Sequence, residues 1–109
     1  MLARAENARL DRVRADLNTI EAALKLYRLD NFTYPAESDG LDALVNAPSS
    51  ARSWRGPYMN SVPVDPWDNQ YQYRYPSTQG LDFDIYSFGV DGTEGGEGSN
   101  ADLGNWDPN

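Results

Sequence analysis

The side chains in this sequence that could do chemistry are almost all oxygen donors. Among its 109 residues there is no histidine and no cysteine, which removes the usual ligands of zinc, copper and iron and the usual general base. Carboxylate, amide, hydroxyl and carbonyl oxygens remain, and these suit hard cations, calcium or magnesium. The donors gather in the last quarter of the chain, Ser87-Phe88-Gly89-Val90-Asp91-Gly92-Thr93-Glu94-Gly95-Gly96-Glu97-Gly98-Ser99-Asn100-Ala101-Asp102-Leu103-Gly104-Asn105-Trp106. Such a segment cannot bury enough apolar surface to hold a shape alone, so either it has no fixed structure or an inorganic ion holds it. We read it as a calcium loop, against the plainer alternative of a glycine-rich solvated turn. Two carboxylate pairs, Asp82 with Asp84 and Asp65 with Asp68, have the residue types of a hydrolase. Nothing in the sequence sets either pair in a pocket, and no nucleophile–base pair is evident, so the chain reads as non-enzymatic.

Charge narrows the partners. With 17 acidic residues against 9 basic ones, the net charge of -8 opposes binding to nucleic acid and to anionic membrane surfaces. A chain of this length is one domain with a limited core, in which a bound metal would add appreciably to stability. No disulfide can take that role. No stretch is apolar enough to span a bilayer, and Met1-Leu2-Ala3-Arg4-Ala5-Glu6 has neither the apolar core nor the cleavage site of a secretory signal. Helical periodicity is under way within ten residues of Met1, so the expectation is a soluble fragment, monomeric or weakly dimeric, of a longer protein.

The elements that must position the loop read clearly. Over residues 5–29 the apolar residues Leu10, Val13, Leu17, Ile20, Leu24 and Tyr27 recur at alternating steps of three and four, one stripe of an amphipathic helix roughly 35–40 Å long. From Leu17 onward the stripe should pack on the domain's own core. Its first turns should project, with Leu10 and Val13 packing on the body or on a partner helix. Asp30-Asn31 and Tyr34-Pro35 end the helix, and Ser38-Asp39-Gly40-Leu41-Asp42-Ala43-Leu44-Val45 reads as a short second helix capped by Ser38 or Asp39. Residues 30–70 are otherwise a proline-rich loop region pinned by Trp54, Tyr58, Val62 and Val64. A hairpin follows over residues 71–87, in which Tyr71, Tyr73 and Tyr75 share one strand face and Phe83-Asp84-Ile85-Tyr86-Ser87 forms the second strand. Residues 88–106 complete a single α+β domain.

Leu29-Asp30-Asn31 with Tyr34-Pro35, Gly40-Leu41 with Ala43-Leu44-Val45 and Pro48, Gly56-Pro57-Tyr58, Asp65-Pro66-Trp67 with Tyr71, Ser87-Phe88-Gly89 with Asp91-Gly92, and Asp102-Leu103-Gly104-Asn105-Trp106 resemble the major pseudopilin of the bacterial type II secretion system. The match runs in order through essentially the whole chain. It implies a type IV pilin-like fold, a long N-terminal helix packed on a small antiparallel sheet with a C-terminal calcium loop, and a structural role rather than a chemical one. It further implies a periplasmic subunit that polymerises into a filament, held in the inner membrane before assembly by an apolar N-terminal helix that this sequence lacks. Its partners would be further copies of itself, minor pseudopilins and inner-membrane secretion components.

Carried over by position, the resemblance puts the calcium ligands on the carboxylates of Asp91 and Asp102, with main-chain or hydroxyl oxygens of Phe88, Thr93 and Ser99. The stretch between the aspartates is longer than in some relatives, so Glu94 and Glu97 are alternative ligands. Where many relatives have glycine after the tryptophan of Asp65-Pro66-Trp67, this chain has Asp68. Relatives also place basic residues before this motif to pair with a neighbouring subunit, whereas here Asn60-Ser61 stand, leaving Arg52, Arg55 or Arg74 as replacements. Two alternatives stand beside the pseudopilin reading: a minor pseudopilin or type IV pilin subunit, and a small calcium-dependent extracellular binding module with the three tyrosines as its platform.

Overall fold

The apolar stripe becomes the buried face of one long helix, α1 (Arg4–Asn31). Val13, Leu17, Ile20, Ala23, Leu24 and Tyr27 are all buried along it, while Asn7, Ala8 and Arg9 stand in solvent. Val13, which the sequence left open between body and partner, belongs to the chain's own core. Two contacts bring that turn of the helix onto the body: the Arg12 guanidinium donates to the Val64 carbonyl at 2.6 Å and the Tyr71 hydroxyl donates to Asp16 at 2.7 Å. In this computed structural model residues 4–90, 92 and 103–107 are described. The extents, 47 × 27 × 22 Å, reflect a helix of 28 residues, about 42 Å long, lying on a much shorter body.

The helix runs two residues past 29 because Asn31 is used three times, once toward the Tyr58 hydroxyl at 3.3 Å. Its side-chain amide donates back to the Tyr27 carbonyl at 3.0 Å and its carbonyl accepts from the Ser53 backbone N–H at 2.9 Å, tying the helix end to the long loop. Phe32 then takes φ 68°, with its N–H on the Arg28 carbonyl, a left-handed helix stop in which a bulky residue occupies the usual glycine place. The short second helix is a single 3-10 turn, Leu41–Leu44, preceded by Gly40 at φ 65° with no side-chain cap. Neither Ser38 nor Asp39 caps it; the Asp39 carboxylate instead accepts from Ser50 at 2.6 Å, a contact that local spacing does not reveal. Trp54 and Tyr58 pin the loop as expected: the indole N–H donates to the Ala43 carbonyl at 2.8 Å and the Tyr58 hydroxyl donates to Asp30 at 2.8 Å. Val64 is exposed, its carbonyl accepting from Arg12 and its backbone bridging to Gln70.

Three strands make the sheet, in the order β1 (Gln72–Arg74), β2 (Asp84–Ser87), β3 (Leu103–Gly104), all antiparallel. The third strand is too short to leave a period in the sequence. All of β2 is buried: it lies between two neighbouring strands and under α1, and Arg74, Phe88 and Trp106 pack on Tyr86. The tyrosines turn inward: Tyr71 is buried, the Tyr73 hydroxyl donates to the Pro35 carbonyl at 2.7 Å, and Tyr34 stacks edge-on against both Tyr75 and Phe83. Burial pushes the Tyr71 and Tyr73 hydroxyls far above their ordinary pKa of 10.0, and for Tyr71 the hydrogen bond to Asp16 adds to the rise. These rings are core, and no exposed aromatic platform is built from them.

Candidate metal centre

The C-terminal loop leaves and rejoins the sheet on one rung. Ser87, the last residue of β2, pairs with Leu103, the first of β3, so residues 88–102 connect two residues that face each other across adjacent strands. Asn105 locks the return: its N–H donates to the Ile85 carbonyl at 3.0 Å, its side-chain carbonyl accepts from Ile85 N–H at 3.1 Å, and its amide donates to the Phe83 carbonyl at 3.0 Å. Trp106 lies across Gly104 so closely that a Cβ there would meet the indole at 2.5 Å, and the same indole packs on Tyr86 with centroids 5.4 Å apart. Only glycine admits that approach.

The other end is held from a distance. Asp65 and Ser87 are fully buried. One Asp65 oxygen accepts the backbone N–H groups of Trp67 and Asn69, at 3.0 and 2.9 Å, which makes the turn. The other accepts the Ser87 hydroxyl at 2.7 Å. Ser87 Oγ in turn accepts the Gly89 N–H at 3.0 Å. Asp68 closes the turn at φ 63°, the left-handed conformation that glycine allows freely and that a short Asx side chain can also adopt. The turn is anchored by the Asp65 carboxylate, with Trp67 only half-buried.

Of the expected ligands, Phe88 is described. It stands half-buried at the neck of the loop, its ring edge-on to Tyr86 at 5.5 Å, and among the described residues none donates to its carbonyl oxygen. Asp91, Thr93, Ser99 and Asp102, with the alternatives Glu94 and Glu97, lie outside the described residues. Among the described residues no three acidic side chains converge to hold a metal. The donor chemistry available to the loop, carboxylate and carbonyl oxygen with two glycines at positive φ, Gly89 at 81° and Gly92 at 67°, fits calcium, which takes oxygen ligands in an irregular shell.

The two carboxylate pairs are not paired for hydrolysis. Asp84 is buried and accepts from Ser77, from both N–H and hydroxyl of Thr78, and from Arg74, while Asp82 is exposed and meets the Tyr34 hydroxyl at 3.5 Å. Asp65 is consumed by its turn and by the Ser87 hydroxyl. Arg74 is engaged within its own chain, donating to Asp84, Thr78 and the Tyr86 hydroxyl and lying over the Tyr86 ring at 5.0 Å, whereas Arg52 and Arg55 are exposed. No described helix is long and apolar enough to cross a membrane. The residues that sequence reading missed are Asp65, Asn69, Ser87 and Asn105, whose partners are 20 or more residues away or lie in a turn.

Comparison with known proteins agrees with this architecture. The family model described as "Type II secretion system (T2SS), protein G" matches residues 1–106. The type II secretion system core protein G of Pseudomonas aeruginosa is 45% identical, covering 98% of this chain and 78% of that protein. Its Vibrio cholerae counterpart is 43% identical, covering 97% and 74%. A crystal structure of the major pseudopilin from the type 2 secretion system of enterohaemorrhagic Escherichia coli superposes with a TM-score of 0.84 at 39% identity, covering 94% of this chain and 90% of the other. A long helix on a three-stranded antiparallel sheet, closed by a loop anchored on one rung, is a type IV pilin-like arrangement, and the chain belongs to the protein G family of the type II secretion system, the major pseudopilins.

Proposed function

We propose that this chain is the repeating subunit of a periplasmic pseudopilus whose growth drives folded exoproteins through the outer membrane, and that calcium bound in the 88–102 loop fixes the surface it presents to its neighbours. An apolar helix N-terminal to residue 1 holds the subunit in the inner membrane before assembly, where it meets minor pseudopilins and the inner-membrane secretion components. The ligands are the carboxylates of Asp91 and Asp102, with oxygens of Phe88, Thr93 and Ser99 completing the shell. Two carboxylates neutralise the ion, and carbonyls and water fill the remaining positions.

The observation that carries the calcium reading is the closed neck. Ser87 and Leu103 are held on one rung, while the segment between them is rich in glycine and oxygen donors and poor in apolar side chains. An ion supplies the cohesion that apolar packing does not. Thermal unfolding with calcium and with a chelator tests this. The expected result is a midpoint several degrees higher with calcium in the wild type, and no response in Asp91→Ala or Asp102→Ala. The same variants in the full-length protein should fail to build filaments and should block secretion. Equal midpoints in all conditions would leave the loop a glycine-rich turn.

A further inference from the structure

We propose that Asp65, acting through Ser87 and seconded by Asn69, is a positioning residue that sets how tightly the 88–102 loop binds calcium; this rests on the calcium reading above. One peptide plane links Ser87 to the loop. The Gly89 N–H and the Phe88 carbonyl belong to the same planar, trans peptide unit and point in opposite directions. Ser87 Oγ holds that N–H at 3.0 Å and so aims the Phe88 carbonyl, a candidate ligand, away from Ser87.

The hydroxyl has little freedom to do otherwise. It sits on a fully buried residue and gives its own proton to Asp65 at 2.7 Å, which leaves its lone pairs to face Gly89. Asp65 is fixed in turn by the two backbone N–H groups of its turn. A second contact reaches further along the loop. Gly92, at φ 67°, donates to the Gly89 carbonyl at 3.2 Å, and a Cβ on it would lie 3.1 Å from the Asn69 amide nitrogen. The turn at residues 65–69 therefore bears on the loop at two points, one at its neck and one beside Asp91.

A purely structural Asp65 would staple the turn to the sheet and affect stability alone. Calcium titration calorimetry, at a temperature where circular dichroism shows every variant folded, separates the roles. Ser87→Ala and Asp65→Asn should raise the calcium Kd by roughly 10–100-fold, the usual cost of removing a group that orients a ligand, and Asn69→Ala should raise it less. Asp84→Asn, at the other end of β2, should keep the wild-type Kd while lowering the melting temperature. If Asp65→Asn does not fold, Ser87→Ala decides, because it removes only a hydroxyl. A wild-type Kd in Ser87→Ala and Asp65→Asn would overturn this inference and leave the calcium reading intact. No binding by the wild type would overturn both.

Discussion

Each end of β2 is held by a buried aspartate, and the two carboxylates hold different things. At the start, the Asp84 carboxylate takes its hydrogen bonds, among the described residues, from Arg74, Ser77 and Thr78, so it serves the hairpin to which it belongs. At the end, Asp65 organises its own turn and then reaches Ser87, 22 residues on, at the neck of the C-terminal loop. Their burial is equal, both at 0% exposed. The difference lies in which segments they join: Asp84 closes a local circuit whose loss would be felt as stability, whereas Asp65 couples a remote turn to the loop, so its loss should also be felt by what the loop binds. Burial and bond count alone do not separate a stabilising carboxylate from a positioning one; the connectivity does.

The largest expected effect breaks the local circuit. Asp84→Ala leaves a half-buried guanidinium without its carboxylate and several donors of the turn without an acceptor, which should cost about 3–5 kcal/mol. Urea unfolding reads this directly, and the calcium-induced gain in stability should be the same as in the wild type. A loss of that gain would mean the two ends of β2 are not independent.

Next comes the ion itself. If calcium binds only the folded state, a hundredfold excess over Kd adds about 2.7 kcal/mol, on the order of 10 °C in melting temperature for a domain of this size. In chelator, limited proteolysis should begin within 88–106, while the part of α1 that carries Leu17 to Tyr27 stays protected. Simultaneous cleavage of helix and loop would show one cooperative unit instead of two.

Gly92→Ala sharpens the comparison at the loop end, with a cost of about 1–2 kcal/mol. Alanine is strained at φ 67°, and its Cβ would press on Asn69. The cost should fall in Asn69→Ala/Gly92→Ala, because the double variant removes the steric part. An unchanged cost would assign it all to backbone strain and remove Asn69 from the contact.

Much of this body was legible in the sequence because its signals are periodic. Leu17, Ile20, Leu24 and Tyr27 repeat at helical spacing, and Tyr71 and Tyr73 alternate because one strand face looks inward. β3 was not legible: Leu103–Gly104 is too short to show alternation, and its place is set by pairing with β2. The polar clamps were hidden for a related reason. Asp65-Pro66-Trp67 announces a turn, but nothing local says that the carboxylate is buried and the indole only half so, or that Ser87 waits across the fold. Composition and the family resemblance suggested an oxygen-rich metal loop; the residues that hold its neck, Asp65 and Ser87, depend on tertiary contacts that composition does not encode.

The smallest effect concerns the helix side of the molecule and isolates one proton. Tyr71 is buried, and desolvation, reinforced by its hydrogen bond to Asp16, raises its pKa above the ordinary 10.0. The folded chain therefore keeps this proton when the unfolded chain has begun to lose it, so its contribution to stability is complete below about pH 10 and declines as pH rises further. For one such group, linkage gives a loss of about 0.8 kcal/mol between about pH 9 and about pH 10.5. Tyr71→Phe also loses the hydrogen bond to Asp16, a cost that does not depend on ionisation of the tyrosine. The informative quantity is thus the difference between the two pH values, compared between wild type and variant, in which that fixed cost and the other titrating groups cancel. Urea unfolding at both values should show a shallower decline in Tyr71→Phe by that amount. An identical decline would mean that the Tyr71 hydroxyl ionises in the folded chain as readily as in water, and that the clamp between α1 and the sheet is open at alkaline pH.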